Sequence, residues 1–444
     1  MIRALRNAWN LPDVRNKLLI TGLIILVYQF ATHVPVVGVD RNALQLLLDP
    51  SATGAGIIGV LNLLSGGAVA NFSVIANGVY PYITASIIFQ LLIPIVPSLQ
   101  QIQREPGGQE KIQRYTYFAT IPMAVLQSFG QIQIFNALLG TQQIIPGFGV
   151  DPLLTLSVLA SMTAGTMFAV WLGDLITEQG IGNGISIIIF AGIVAQAPTN
   201  LANLVGGSTD TGMAIWNIAL FIGITLLSIV VIVLIQEGVR RIPVQYGKRV
   251  RGRKQYGGAS THIPLKVNPV GMIPLIFAQA ITAMPAVVVS FFPPGDFGNS
   301  IQTSFGSQQG LTYWLTFFFL TFGFTFFYSD VMVANQDLAG NLQRQGGFIP
   351  GIRPGKRTEE YIVNVTRRIT LVGALFLGLI AIVPGIVDFI NRLLFPNVFV
   401  AGTTANAASV LTGAGLIIVV GVVIDTMRQL EAQLVMRNYE GFMR

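Results

Sequence analysis

A chain of 444 residues that is 52% hydrophobic and only 10% charged, with a mean hydropathy of +0.66, leaves almost no material for a soluble domain. It contains no cysteine, which excludes disulfides, thiolate catalysis and cysteine-held metals. The formal net charge of +7 sits almost wholly in a few segments between apolar stretches, so it speaks first of membrane orientation and second of an anionic partner.

The first residues, 1–17, are basic and partly amphipathic. The apolar run after them lacks a short core ending in a small-residue cleavage site, so it reads as a first span and not as a signal peptide. It is the first of ten apolar stretches, at roughly 18–36, 74–96, 115–139, 153–173, 185–205, 214–236, 268–292, 309–329, 369–387 and 407–427. Each holds about 20 predominantly apolar residues, enough to cross a hydrocarbon core of ~30 Å as a helix. With the N-terminus inside, all but two of the 26 lysines and arginines fall on the inner face, and the outer segments keep only Arg41 and Arg392. Lysine and arginine bias sets membrane orientation, so the expected fold is an all-α polytopic membrane protein of ten spans with both ends inside. Five spans and five divide the chain into 1–205 and 206–444. An odd number per half gives the halves opposite orientation, and inverted repeats of that kind put the working site at their interface.

Between the first two spans, the run 57–73 (IIGVLNLLSGGAVANFS) is apolar but too short to cross, and Gly66-Gly67 breaks it. Two readings stand: a re-entrant piece beside a cavity opening outward, or an amphipathic loop lying on the outer surface. Asn71 and Ser73 are available to cap the helix that follows. No Asp, Glu, Lys or Arg lies near the middle of any span; Asp174, Glu178, Asp330, Arg367, Arg368, Asp388 and Asp425 all fall at predicted ends. Intramembrane charges are kept where they carry function, so their absence argues against a proton relay, a voltage sensor or an intramembrane hydrolase. A carrier for a small organic solute that uses backbone carbonyls remains the alternative.

Catalytic motifs are weak. Gly180-Ile181-Gly182-Asn183-Gly184 lacks the spacing and preceding strand of a dinucleotide fingerprint, and Gly355-Lys356 has no upstream glycine at P-loop spacing. Two inner segments are long enough to do more than join helices. In 237–268, the runs 240–246 and 260–267 have strand character and predict a hairpin carrying Lys248, Arg249, Arg251, Arg253 and Lys254 at its tip, with Arg240 and Arg241 at its base. In 335–362, glycines and prolines predict tight turns around Arg353 and not a helix. Such clustered charge suits an RNA phosphate surface or an acidic protein partner, beyond its part in fixing topology.

Several long runs carry a resemblance. NLLSGGAVANFSVIANGVYPYITASIIFQLL (62–92), EPGGQEKIQRYTYF (105–118), GIGNGISIIIFAGIVA (180–195), RRIPVQYGKR (240–249), STHIPLKVN (260–268) and GGFIPGIRPGKRTEEYI (346–362) occur in one order over nearly the whole chain. Together they resemble the SecY family, the pore subunits of the bacterial protein-translocation channel. The resemblance implies a channel and not an enzyme, with no cofactor or metal site. Its pore would pass unfolded, signal-bearing polypeptides and release apolar segments sideways into membrane lipid.

By motif position, the resemblance implies a constricting ring of Ile83, Ile87, Ile185, Ile189, Ile276 and Ile418. A narrow β-branched ring closes around an extended chain and dewets when empty. Isoleucine in a span otherwise faces lipid or core, so the ring rests on the resemblance. A plug around 60–72 would include Leu64, Ser65, Gly66, Gly67 and Ala68, small enough to pack closely and to leave with little lost contact. Gln90, Gln127, Gln279 and Thr282 would be polar groups at a lateral gate between the halves. The implied partners are the small membrane subunits SecE and SecG, and either the motor ATPase SecA or a translating ribosome on the basic loops. The implied membrane is the bacterial cytoplasmic one.

Overall fold

The structure is a computed structural model that describes residues 11–48, 65, 67–139, 142–206, 211–246, 249–251, 254–256, 260–289, 295–301, 304–305, 311–336, 338–394 and 414–442. The helices before the first strand are α1 (Pro12–Ala31), α2 (Arg41–Leu48), α3 (Tyr80–Leu92), α4 (Pro97–Arg104), α5 (Gly108–Leu139), α6 (Pro152–Gln179), α7 (Gly184–Gly206) and α8 (Thr211–Gln236). Four strands follow: β1 (Val239–Tyr246), β2 (Arg249–Arg251), β3 (Lys254–Tyr256) and β4 (Ser260–Lys266). Then come α9 (Ile273–Val289), α10 (Asp296–Ile301), α11 (Leu311–Gln336), α12 (Leu338–Arg344), strand β5 (Gly347–Phe348), α13 (Lys356–Leu394) and α14 (Ala414–Phe442).

Every one of the ten expected stretches carries helix. Among the described residues α1, α6, α11 and α13 are long and apolar enough to cross a membrane, and Gly184–Pro198, Phe221–Gln236 and Ile273–Thr282 are shorter apolar helices. The two sides of α1 explain the composition. Leu19, Leu23, Leu26 and Phe30 are each more than half exposed, whereas Val14, Thr21, Ile24 and Tyr28 are buried. A helix with apolar residues on its exposed stripe is solvated by lipid, and the opposite stripe does the packing.

The second stretch departs from the expected continuous span over 74–96. Its helix is only α3, which meets α4 at a bend of 105°. Proline is the cause: Val96 precedes Pro97 and is held extended at φ −99°, ψ 109°, which stops the helix and starts another. Residues 67–79, ahead of α3, form a run of tight turns. Their backbone groups are satisfied by neighbours. Val36 N–H donates to the Phe72 carbonyl at 3.0 Å and Val74 N–H to the Val34 carbonyl at 2.9 Å, forming a bridge at Pro35 and Ser73. Asn77 Nδ2 donates to Ser128 Oγ at 2.6 Å and to the Ala124 carbonyl at 3.4 Å. Gly165 admits the Val74 carbonyl where any Cβ would collide with it.

Ala124 and Gly165 lie near the middle of α5 and α6, so the turns run at the mid-height of these helices. That settles the choice between re-entrant segment and surface loop in favour of the former for the described part. The expected helix caps are corrected: Ser73 Oγ accepts from Ile75 N–H at 3.2 Å and Asn71 Nδ2 donates to the Thr32 carbonyl at 3.2 Å, while the N-cap of α3 is Val79, with no side-chain cap. Both side chains hold turns, because the chain is not yet helical where they stand.

Two compact units divide the chain. One comprises Met1–Thr225, Ala280–Trp314 and Val383–Arg444; the other comprises Leu226–Gln279 and Leu315–Ile382. This division differs from that at residue 205. In the first unit, Phe72, Val69 and Ala76 pack with Ile132, Phe135, Val158 and Met162 into one buried cluster. In the second, α11 and α13 are joined by a buried Ser329–Thr370 hydroxyl pair at 2.8 Å and, further in, by a two-point Arg367–Asp330 ion pair. The second unit also holds a sheet of order β4-β1-β5 and the two-stranded β2–β3 hairpin.

Candidate functional site

The inner surface is built on the expected hairpin. β1 pairs antiparallel with β4 from Val239 opposite Lys266 to Gln245 opposite Ser260, and β2 pairs with β3 beyond it. Period-two alternation turns Ile242 and Val244 inward, buried, and leaves Arg240, Arg241, Pro243 and Gln245 exposed. The inward pair packs with Leu265, Ala339, Leu342, Ile349, Ile362 and Val365, which seats the hairpin on α12 and the inner end of α13. Arg249, Arg251 and Lys254 lie on the paired strands β2 and β3, while Lys248 and Arg253 lie outside the described residues.

The second basic segment joins the first, which the sequence reading missed. β5 adds to the free edge of β1, with Phe348 opposite Gln245 and Gly347 opposite Tyr246. Gly347 permits this because a Cβ there would stand 2.8 Å from Leu342 Cδ1 and 3.0 Å from the Tyr246 ring. A two-residue strand carries no periodicity, so no pattern announces it. Past it, Arg353 is exposed in a turn between Gly351 (φ +83°) and Gly355 (φ +106°), and Thr358 Oγ1 donates to its carbonyl at 2.9 Å. Two segments read separately in sequence thus meet on the β4-β1-β5 sheet, which carries Arg240 and Arg241 on β1 and leads through β5 to Arg353.

The isoleucines proposed for the ring occupy four helices. Ile83 and Ile87 stand one turn apart on α3, Ile185 and Ile189 one turn apart on α7, Ile276 on α9 and Ile418 on α14. Ile87, Ile189, Ile276 and Ile418 are buried and Ile83 and Ile185 half-buried. Helix α7 packs against α14 in the first unit, which brings the helices of Ile185, Ile189 and Ile418 side by side. The inner turn leading into α7 is where the glycine-rich motif acts. Gly184 lies against the Gly173 carbonyl, and Gly182 (φ +91°) leaves 3.1 Å from a would-be Cβ to Thr426 Oγ1 on α14. The motif is a close-packed joint between helices, not a phosphate cradle.

Of the plug residues, Ser65, Gly67 and Ala68 are described; Leu64 and Gly66 lie outside the described residues. Ser65 and Ala68 are fully buried, and Gly67 (φ +95°) abuts the Gln196 side chain of α7. Val69 N–H donates to Ser65 Oγ at 3.2 Å, closing a turn. Beyond it, Phe72 is held in the left-handed region at φ +42°, with its ring 5.5 Å from that of Phe135. Such a backbone costs a non-glycine residue on the order of 1–3 kcal/mol and persists only where its surroundings fix it. From Val69 to Phe72 the chain is thus part of the buried core.

The glutamines expected at a gate are buried to different degrees and share one feature. Gln90 Nε2 donates to Ser86 Oγ at 3.1 Å within α3, and Gln127 Nε2 on α5 donates to Thr84 Oγ1 on α3 at 3.2 Å. Among the described residues, the carbonyl oxygens of Gln90, Gln127 and Gln279 accept no hydrogen bond although they are sealed from solvent. Gln131, one turn beyond Gln127 on α5, is in the same state, and sequence reasoning passed over it. The i, i+4 repeat of amides at 127 and 131 was the available signal. Thr282, on α9, is buried.

A family model for SecY matches residues 73–427. The protein translocase subunit SecY of Streptomyces scabiei is 39% identical over 458 residues, covering 100% of both chains. Among solved structures, one described as a protein-conducting channel is similar with a TM-score of 0.63 at 19% identity, covering 95% of this chain and 93% of that one. Canine Sec61 in a ribosome–channel complex from the endoplasmic reticulum is similar with a TM-score of 0.62 at 18% identity, covering 95% and 93%. At such identities these two speak for the fold.

Proposed function

This chain belongs to the SecY family, a multi-pass membrane protein that forms a protein-conducting channel, and we propose how its residues carry out the conduction. Unfolded polypeptide enters from the inner face, displaces the segment around Ser65–Ala68 and passes the isoleucines at 83, 87, 185, 189, 276 and 418. Apolar side chains bind no substrate group tightly, so the ring admits any sequence in extended form and excludes ions when empty. The observation that carries this reading is the re-entrant run of turns at helix mid-height, sealed into the same unit as α7 and α14. Irregular backbone at that depth is tolerated only inside protein or along a cavity.

Sideways release follows the same logic. The amides of Gln90, Gln127 and Gln279, with Thr282, lie at a seam between inverted halves 1–205 and 206–444. The bonds of Gln90 and Gln127 stay within 1–205, and an interhelical hydrogen bond made across the seam is worth only about 0.6–2 kcal/mol, so an apolar segment entering lipid replaces it readily. Directional energy comes from a partner docked on the basic platform: the ATPase SecA, or a ribosome whose RNA phosphates meet the Arg240–Lys254 hairpin and Arg353. SecE and SecG complete the membrane assembly, and the inner ends face the cytoplasm of a bacterial cell. No observation favours a carrier for a small organic solute.

Translocation into proteoliposomes tests the reading, with the full complex, the motor ATPase, ATP and a signal-bearing precursor. Protease-protected precursor should require ATP, and Arg353→Glu should lower its yield at least about tenfold, the loss of one buried or charge-assisted docking contact. Unchanged transport by this variant would reduce the platform to a topology signal. In the same assay, Ile87→Asn combined with Ile189→Asn should admit precursors with defective signals; unaltered selectivity would remove both from the ring.

A further inference from the structure

The inner end of α6 is a fixed point among the helices of the first unit. Helix α6 packs on α1, α5 and α7, and Leu172, Gly173 and Ile176 at this end are buried. Beside them, Asp174 Oδ2 accepts from the Tyr117 hydroxyl of α5 at 2.8 Å, and Gln113 Nε2 donates to that hydroxyl at 2.6 Å. The Tyr117 ring in turn lies 5.7 Å from that of Tyr82, the residue before Ile83 on α3.

Helix α7 starts against this point. Thr177 Oγ1 donates to the Gly173 carbonyl at 3.0 Å and accepts from Gly184 N–H at 2.9 Å, so one hydroxyl spans the turn from α6 to α7. Asn183 Oδ1 accepts from Ser186 N–H at 3.1 Å and caps the new helix. Gly173 meets the first turn of α7 directly. A Cβ there would stand 3.0 Å from Ile185 Cγ1, 3.3 Å from the Ile185 backbone nitrogen and 3.4 Å from Ile188 Cδ1. The Ile185 side chain could turn away, but its backbone nitrogen could not, and Ile188 beside it is 1% exposed. A side chain at 173 therefore displaces the helix itself. Ile185 and Ile189 stand one turn apart on that helix, so both move with it.

We propose that Gly173 and Thr177 are positioning residues for the constriction: the bare Cα of Gly173 lets the first turn of α7 lie against α6, the Thr177 hydroxyl holds it there, and together they set where Ile185 and Ile189 stand. The proposal rests on the ring reading above. A ring sealed by side-chain contact tolerates little displacement, since a gap of about 0.5–1 Å already forfeits a quarter to a half of a dispersion contact.

The test is selectivity in proteoliposomes with the full complex, the motor ATPase and ATP. It is scored as protected signal-defective precursor relative to protected signal-bearing precursor, a ratio that does not depend on how much channel folds. Gly173→Ala should raise the ratio about tenfold, the effect of overpacking at a tight joint. Thr177→Val keeps the shape, removes both hydrogen bonds and should raise it about fivefold, and Thr177→Ser should restore it. Gly22→Ala on α1, where a Cβ meets nothing within 4 Å, should leave the ratio unchanged. Ile185→Ala removes the Cγ1 that Gly173 meets and should raise the ratio by itself; adding Gly173→Ala to it should change the ratio less than about twofold. A multiplicative rise in that double variant, or an equal rise with Gly22→Ala, would overturn the proposal. So would a lowered unfolding temperature with an unchanged ratio, the mark of a merely structural joint. Where Gly173→Ala does not fold, Thr177→Val and Thr177→Ser decide by the same measure. If Ile185→Ala and Ile189→Ala relax selectivity and the joint variants do not, the ring stands and the positioning role falls. If neither isoleucine variant relaxes it, the ring reading itself falls and takes the proposal with it.

Discussion

Residues 67–79, with Ser65 ahead of them, and the inner hairpin of β1 and β4 are both non-helical in a helical chain, yet they satisfy their backbones in opposite ways. The hairpin pairs with itself along a seven-rung ladder from Val239–Lys266 to Gln245–Ser260 and needs only one packed face, through Ile242 and Val244. The re-entrant turns have no ladder and borrow partners from everywhere around them: Val34 and Val36, the Tyr28 hydroxyl, and the Asn77–Ser128 bond. The difference follows from the surroundings. At the aqueous rim an unpaired amide finds water, whereas at the middle of a membrane helix it costs several kcal/mol. Regular structure is portable; irregular structure at depth must be fitted to its particular neighbours.

The comparison is broken most severely at Gly165, where a side chain would drive into the Val74 carbonyl. Gly165→Leu is expected to cost about 3 kcal/mol and to remove most folded, detergent-stable protein, judged by size-exclusion yield and thermal unfolding. Wild-type behaviour would mean that the turns shift freely and are not fitted to α6. Ile242→Asp should cost about 2 kcal/mol but only locally, since the packed face of the hairpin meets α12 and the inner end of α13 alone. Limited proteolysis is then expected to nick the variant within 239–266 while the spans stay protected. General loss of protection would show that the hairpin supports the membrane part. The smallest effect is expected from Asp330→Asn: its partner Arg367 is exposed, and exposed ion pairs contribute little, so thermal stability should be unchanged. A clear drop would mark that pair as a structural strut between α11 and α13.

Much of this was legible in the chain. The ten apolar stretches, the hairpin at 240–246 and 260–267, and the turns around Arg353 could be read because periodicity, proline and glycine act over a few residues. The break of the second stretch could have been anticipated from Pro94 and Pro97, but the hydropathy of 74–96 is continuous and hid it. The partnership of β5 with β1 could not be read, since two residues carry no pattern and the pairing spans about a hundred positions of sequence. The orphan carbonyl of Gln131 was visible only as one more amide in a span; its burial made it notable.

By itself the sequence determined the number of apolar stretches, the gathering of basic residues into a few segments between them, the absence of ionisable groups near the middle of those stretches and the membership of this chain in its family. These are sums over local composition, and transfer between water and lipid depends on composition. The tertiary structure alone decided that residues 67–79 run at helix mid-height, that Gly165 and Gly184 receive neighbouring carbonyls, and that Tyr28 reaches Ser65. Those contacts join positions far apart in the chain, and their energies depend on distances of tenths of an ångström that no local pattern encodes.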